Sequence, residues 1–363
     1  MSRFLASRYS GLEAYTPGEQ PRDRRYVKLN TNESPFPPSP AVIAAADAEK
    51  GALNLYPDPT CLRLKEAAAK TYGELSRALG GGEITPDMVT VGNGSDELLA
   101  FAVLAFFTER GAAFPAVGYG FYPVFCSLFG AAYDELPMKG EFEVDLPALA
   151  DSPRNILLAN PNAQTGVYLP LSDIRKLLSA NKDRLVLIDE AYCDFGGESA
   201  VSLLGEFDNL LVVTTLSKSR QLAGGRIGLA FSGREIVLDL EKIRYSFNPY
   251  ALDRAAIAAG AAALLDGEYF DMTRTAVIGQ RERMKEELLA LGFTVSPSSA
   301  NFVLARHPAL SGEKIYEGLK ARGVLVRYLG GRLSGYVRIT VGSREDTDAL
   351  LAAARDVCKE AKI

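Results

Sequence analysis

A chain of 363 residues with 40 Lys+Arg, 45 Asp+Glu and a formal net charge of -5 at pH 7 is mildly acidic, which argues against nucleic-acid binding. With 47% hydrophobic and 23% charged residues it reads as a globular protein of about two domains, long enough to bury a core without disulfides. A single histidine, His307, leaves too few imidazoles for a zinc site or a Ser-His or Cys-His nucleophile pair, so most hydrolase chemistries and a metal centre are not expected.

In chain order, Met1 to Tyr15 carries scattered Arg and Glu without an apolar stretch, so no secretory signal is expected. Residues 17 to 40 are rich in proline and read as an extended arm. Residues 62 to 75 show helical spacing, and Met88 to Val91 form a β-like run ending in Gly92-Asn93-Gly94-Ser95-Asp96. The longest apolar runs, Leu98 to Phe107 and Ala255 to Leu265, are too short for the roughly 18 residues of a membrane span and read as buried helices. Asn155 to Ala159, Leu185 to Ile188, Leu211 to Leu216 and Ile227 to Phe231 are short apolar runs that suit strands buried on both faces. Residues 253 to 291 read as long helices. Asn301 to Ala305, a helix near 313 to 321, Val324 to Arg327 and Tyr336 to Val341 then alternate as in a smaller α+β unit.

This pattern predicts an α/β fold with a mostly parallel central sheet in a large domain over residues 46–248. The arm (1–45) and residues 249–363 form a smaller α+β domain. Cys61, Cys126, Cys193 and Cys358 lie far apart, so reduced thiols and a cytoplasmic setting are expected. His307, between Arg306 and Pro308, reads as exposed and structural or solvated. Polar clusters follow the apolar runs, and the carboxyl ends of parallel strands are where open α/β sheets bind ligands.

The most informative cluster is Thr214 to Gly228. A lysine just past a buried strand, Lys218, is held on a rigid element and partly desolvated, as an amine that attacks a carbonyl must be. Thr215, Ser217 and Arg226 could bind a phosphate beside it, although the segment alone could equally be a surface turn. Leu185 to Ile188 deliver Asp189 to a strand end, where a carboxylate could keep the ring nitrogen of a pyridine cofactor protonated or merely cap a helix. Gly94-Ser95-Asp96-Glu97 opens an apolar helix whose first N–H groups suit a phosphate. Neither G-x-G-x-x-G nor G-x-x-x-x-G-K-[ST] is present there, which weakens nucleotide readings.

Taken in order, Leu29-Asn30-Thr31-Asn32-Glu33-Ser34-Pro35, Tyr56-Pro57-Asp58, Gly94 to Glu97, Tyr119-Gly120-Phe121-Tyr122-Pro123, Pro161 to Gly166, Asp189-Glu190-Ala191-Tyr192, Ser217-Lys218 with Leu222 to Arg226, and Val337 to Gly342 form a recognisable set. The set resembles the fold-type I pyridoxal-phosphate aminotransferases, the aspartate aminotransferase-like fold, and within them is most similar to the histidinol-phosphate aminotransferases. The resemblance implies a transaminase that carries pyridoxal 5'-phosphate (PLP) on Lys218, which then moves a proton as general acid and base. It implies that Asp189 pairs with the ring nitrogen, Tyr192 hydrogen-bonds the phenolic oxygen and Tyr119 stacks on the ring. It places the phosphate on Ser95 and Asp96 with Ser217 and Arg226. Tyr56 would reach that phosphate from a neighbouring subunit, so a homodimer with shared sites is expected.

The family text P-N-N-P-T-G reads Pro161-Asn162-Ala163-Gln164-Thr165-Gly166 here. Either Asn162 contacts the cofactor in place of the missing second asparagine, or Tyr192 acts alone. With proline replaced by Gln164, no cis X-Pro bond is expected at this turn. On the substrate side the resemblance implies that Arg338 grips an anion, with Tyr15, Asn32 and Arg327 nearby. Small-molecule amino donors and keto acceptors are the expected partners, with no nucleic acid, membrane or metal. Glutamate and imidazole acetol phosphate are the expected substrates, in histidine biosynthesis. Aromatic amino acid transamination and threonine-phosphate decarboxylation are the nearest alternatives, and a non-catalytic PLP-fold binding module is the alternative of a different class.

Overall fold

The apolar runs pair into one sheet in the computed structural model, which describes residues 2–361. In chain order the first half contains β1 (Val27–Leu29), α1 (Pro40–Ala48), α2 (Leu62–Ala78), β2 (Val89–Asn93), α3 (Gly94–Ala102), β3 (Ala112–Pro115), α4 (Phe121–Phe129), β4 (Tyr133–Leu136), the short pair β5 (Met138–Lys139) and β6 (Glu143–Val144), α5 (Leu146–Asp151) and β7 (Asn155–Ala159). It continues with α6 (Leu171–Ala180), β8 (Val186–Asp189), β9 (Leu210–Thr215), β10 (Ile227–Ser232), α7 (Arg234–Phe247), α8 (Arg254–Leu265) and α9 (Gly267–Ala290). The chain ends in β11 (Thr294–Val295), β12 (Phe302–Arg306), α10 (Gly312–Ala321), β13 (Val324–Tyr328), β14 (Val337–Thr340) and α11 (Arg344–Glu360).

The large sheet has the order β2-β10-β9-β8-β7-β3-β4. Only β10 runs against its neighbours; the pairs β9–β8, β8–β7, β7–β3 and β3–β4 are parallel. The reversal has a simple cause. A parallel crossover needs a dozen or more residues, usually including a helix, and the link 216–226 contains no helix. The strand after Lys218 therefore turns straight back beside the one before it, and both ends of that link lie at the same edge of the sheet.

Alternation along the strands explains the two-faced core. Ile156, Leu158, Ile188 and Val212 pack on one side with Leu64 and Val91, while Leu157, Leu187, Leu211 and Val213 pack on the other with Leu98, Phe114 and Tyr122. Helix α8, which the sequence reading grouped with the smaller unit, packs against α1 and α2 and buries Ala256, Ile257 and Leu264 in the core of the large sheet. The run 98–107 is helical as expected, with Val103–Phe107 in a π turn that continues α3.

A second sheet, ordered β1-β13-β14-β12-β11, carries α9, α10 and α11 on a core that includes Val303, Ala305, Val337 and Ile339. The proline-rich arm is more than an arm. Val27 to Leu29 hold no proline and pair parallel with Val324 to Val326, which makes this segment an edge strand of the smaller sheet. His307 is buried rather than exposed: its Nδ1 accepts from Ala309 N at 3.2 Å and its ring packs edge-on against Phe293. Arg306, the exposed end of the otherwise buried β12, is a poor guide to His307, which lies just past the strand and tucks back against Phe293. No helix among the described residues is long and apolar enough to cross a membrane.

Candidate active site

Strands β7, β8 and β9 end at one edge of the sheet, and α3 begins there, directly after β2. The cavity at this edge is closed from the other side by β14, β13 and the arm. It is lined by Ser95, Asp96, Tyr119, Asp189, Tyr192, Ser217, Lys218 and Arg226 from the large unit, and by Tyr15, Asn32, Arg327 and Arg338 from the small one. Ten of the cofactor and catalytic positions were expected; Asn162 and Tyr56 are the two that do not line it.

Lys218 sits just past β9, two residues after Leu216, which is buried and anchors the loop. Thr215 Oγ1 accepts from Ser217 N at 3.1 Å and lies 2.9 Å from Ser217 Oγ, fixing the turn that presents the lysine. The Lys218 Nζ atom is 5.9 Å from the centre of the Tyr192 ring. Asp189 faces the same space from the end of β8. It is buried, its Oδ2 accepts from the Tyr122 hydroxyl at 2.9 Å, and its Oδ1 accepts from Ala191 N at 3.2 Å. Burial pushes its carboxyl up to about 6, against the opposing pull of the Tyr122 hydrogen bond. The neighbouring Glu190 points away. It accepts from Ser199 Oγ at 2.5 Å and Ala200 N at 2.6 Å, and burial raises its carboxyl to about 8.

The α3 terminus forms a cradle. Gly94 takes φ +77°, and a Cβ there would lie 2.4 Å from Arg226 Nη2, so glycine is required for the guanidinium to cross the helix start. Gly228 is equally constrained, since a Cβ on it would fall 2.4 Å from the Gly94 carbonyl carbon. Arg226 itself has φ +51°, an unusual state for a long side chain. Asp96 ties the cradle together, pairing with Arg226 Nη2 at 3.3 Å through Oδ2 and accepting from the Tyr119 hydroxyl at 2.7 Å through Oδ1.

The turn after β7 departs from expectation twice. Asn162 does not line the cavity: its Nδ2 donates to Val117 O at 2.8 Å, and its Oδ1 accepts from the Gln164 and Thr165 amides, each at 3.0 Å. The side chain is consumed by the turn, and Ala163 and Gln164 line the cavity instead. A cis X-Pro bond is present after all, between Asn160 and Pro161, on the proline that precedes the substituted position.

Arg338, on β14, is half-buried with its Nε shut off from solvent, and desolvation lowers its pKa. Its Nη1 donates to Ala163 O at 3.2 Å and Gln164 Oε1 at 3.1 Å, while its Nε has no partner. Among the described residues no carboxylate pairs with it. Arg327 lines the cavity but its guanidinium holds the arm, donating to Thr16 O at 2.9 Å and Pro17 O at 3.0 Å. Tyr15 stacks on Phe121 with ring centres 4.1 Å apart. Asn32, at φ +56°, is buried; its Nδ2 donates to the Tyr192 hydroxyl at 3.0 Å, and its Oδ1 accepts from Thr340 Oγ1 at 3.0 Å. Tyr56 lies elsewhere on the surface, 79% exposed and stacked on Tyr250.

Tyr122 and Thr340 were not singled out by sequence reasoning. Both lie inside motifs of the set, Tyr122 three positions after Tyr119 at the start of α4 and Thr340 two after Arg338, but no role was attached to either there. A phosphorylated pyridine aldehyde fits these residues. The glycine-bared cradle with Arg226 suits the phosphate, Asp189 suits a protonated ring nitrogen, and Lys218 supplies the amine. The buried, unpaired Nε of Arg338 leaves an anion still to be met.

Residues 24–353 match the family model for aminotransferase class I and II. A histidinol-phosphate aminotransferase from Pseudomonas entomophila is 47% identical over 357 residues, covering 97% of this chain and 100% of that protein. One from Clostridium acetobutylicum is 45% identical over 363 residues, with 99% of each covered. The crystal structure of histidinol-phosphate aminotransferase from Sinorhizobium meliloti in complex with pyridoxal-5'-phosphate superposes with a TM-score of 0.85 at 25% identity, covering 99% of this chain and 100% of that one.

Proposed function

The chain belongs to the class I and II aminotransferases, and we propose that it is a PLP-dependent enzyme exchanging an amino group between glutamate and imidazole acetol phosphate, in histidine biosynthesis. The observation that carries the reading is the convergence of Lys218, buried Asp189 and the Gly94–Arg226 cradle on one cavity with an arginine that lacks an anionic partner.

When bound, the cofactor supplies an electron-withdrawing ring that stabilises negative charge at the substrate α-carbon. Arg226, Ser217 and the α3 terminus at Ser95 and Asp96 hold its phosphate. Asp189 keeps the proton on its ring nitrogen, and Tyr122 keeps Asp189 in place. Tyr192, steadied by Asn32, donates to the phenolic oxygen without help from residue 163, and Tyr119 covers the ring face. Lys218 would hold the cofactor through its amine and, once the substrate amine has displaced it, would move the proton at the substrate α-carbon. Arg338 takes the substrate anion, the α-carboxylate of glutamate or the phosphorylated end of the partner substrate, while Tyr15 and Arg327 exclude water from that side. The reading includes a homodimer in the cytoplasm. Leu53, Leu55, Tyr56 and Phe247, all largely exposed, support a partner surface, and Tyr56 would serve the partner's phosphate site.

The test is a single-turnover absorbance assay on PLP-loaded protein mixed separately with glutamate, histidinol phosphate, phenylalanine and phosphothreonine. Rapid loss of the visible cofactor band with glutamate and histidinol phosphate supports the assignment. Conversion by phenylalanine alone, or CO2 release from phosphothreonine, would replace the substrate while leaving the family chemistry intact. Borohydride reduction followed by peptide mapping should label Lys218.

A further inference from the structure

We propose that Gln164 is a positioning residue for anionic substrates, holding the Arg338 guanidinium at the angle it needs to receive a carboxylate or phosphate. The inference rests on Arg338 being the anion-binding residue of the proposed reaction.

Among the described residues Gln164 is the one side chain that hydrogen-bonds Arg338, through Oε1 at 3.1 Å. The other end of the same amide is fixed as well, because Nε2 donates to Gly118 O at 3.2 Å, next to Tyr119. An amide has one accepting and one donating end, so the Gly118 bond determines which end faces the arginine. The Gln164 backbone is also held, its N–H donating to Asn162 Oδ1 at 3.0 Å. A proline at 164 could make none of these three bonds. Gln164 thus links the end of the β3 segment, the turn after β7 and β14 of the small sheet.

The chemistry of the partner matters as much as its geometry. Arg338 is half-buried, with its Nε shut off from solvent, and pairs with no carboxylate, so its charge is oriented without being neutralised. Two neutral acceptors, Gln164 Oε1 and Ala163 O, take both donors of Nη1 and leave Nη2 and Nε for a ligand. A carboxylate in the same place would orient the fork but compete with the substrate for its charge.

The experiment titrates glutarate, a five-carbon dicarboxylate without an amine, into PLP-loaded wild type, Gln164→Ala, Gln164→Glu and Arg338→Ala, with PLP affinity of each apoprotein measured in parallel. Gln164→Ala should weaken glutarate about tenfold, and Gln164→Glu, of nearly the same size and still an acceptor, about tenfold or more through charge competition. PLP affinity should stay within about twofold, and KM for the dicarboxylate substrate should rise more than kcat falls. Unchanged or tighter glutarate binding in the Gln164 variants, with Arg338→Ala strongly weakened, overturns the role of Gln164. A parallel loss of PLP affinity overturns it too, since that marks a merely structural turn residue. Glutarate binding that survives Arg338→Ala overturns the underlying reading of Arg338 instead.

Discussion

The hydroxyl of Tyr122 donates to Asp189 Oδ2 at 2.9 Å, with both side chains buried beneath the cavity. Burial raises the Asp189 carboxyl to about 6 and the hydrogen bond holds it from rising further. PLP binding to the apoprotein should therefore weaken as pH falls through about 6, as the carboxylate that faces the ring nitrogen becomes protonated. In Tyr122→Phe the midpoint should move upward by about one unit, the worth of one hydrogen bond to a charged group. A fluorescence titration of PLP between pH 5 and 8 checks this, and an unmoved midpoint would show that Tyr122 does not tune Asp189.

Glu190 gives a stability prediction of definite sign. Its carboxyl is raised from 4.5 to about 8 by burial, so the fold favours the protonated form. That contribution is fully present below the usual carboxylate pKa and is lost as pH rises through about 8. Urea unfolding should show stability declining between about pH 5 and 8 and levelling above that, and Glu190→Gln should flatten the slope by on the order of 1 kcal/mol per pH unit. A variant that retains the full slope sinks the assignment.

Gly94→Ala should damage the phosphate cradle specifically. The residue sits at φ +77°, and the new Cβ would lie 2.4 Å from Arg226 Nη2. A stability loss of about 1–2 kcal/mol and roughly tenfold weaker PLP binding are expected. Thermal melts of apoprotein and PLP titrations measure the two separately; a loss of stability with unchanged PLP affinity would mean that the displaced guanidinium does not hold the phosphate.

Arg327→Ala should release the arm. Its guanidinium holds the carbonyls of Thr16 and Pro17, and no other side chain holds them among the described residues. Limited proteolysis near residues 14–20 should accelerate, and KM should rise with kcat reduced less. Equal cleavage rates in wild type and variant would show that the arm is anchored elsewhere.

Strand ends, helix starts and the identities of Lys218, Asp189, Ser95 and Arg226 were legible in the chain, because each sits at a boundary that local chemistry marks. An apolar run stops, a polar cluster follows, and parallel strands place such clusters at one edge. Asn155–Ala159 was bounded correctly for this reason. The same local logic failed at His307, where packing against Phe293 buried a residue with polar neighbours. It failed again at residues 27–29, where pairing with β13 turned an arm into a strand.

What the sequence by itself determined is therefore the backbone frame and which residue types stand at its functional edge. What only the tertiary structure decided is which polar atoms meet. Tyr122 and Asp189 are 67 positions apart, Asn32 and Tyr192 160, Gln164 and Arg338 174. Asn162 could have stood in for the missing second asparagine, but its oxygen is taken by the Gln164 and Thr165 amides of its own turn. Periodicity reports the backbone's repeat and the face each residue takes, whereas a buried hydrogen bond requires a partner that packing alone brings within 3 Å or so.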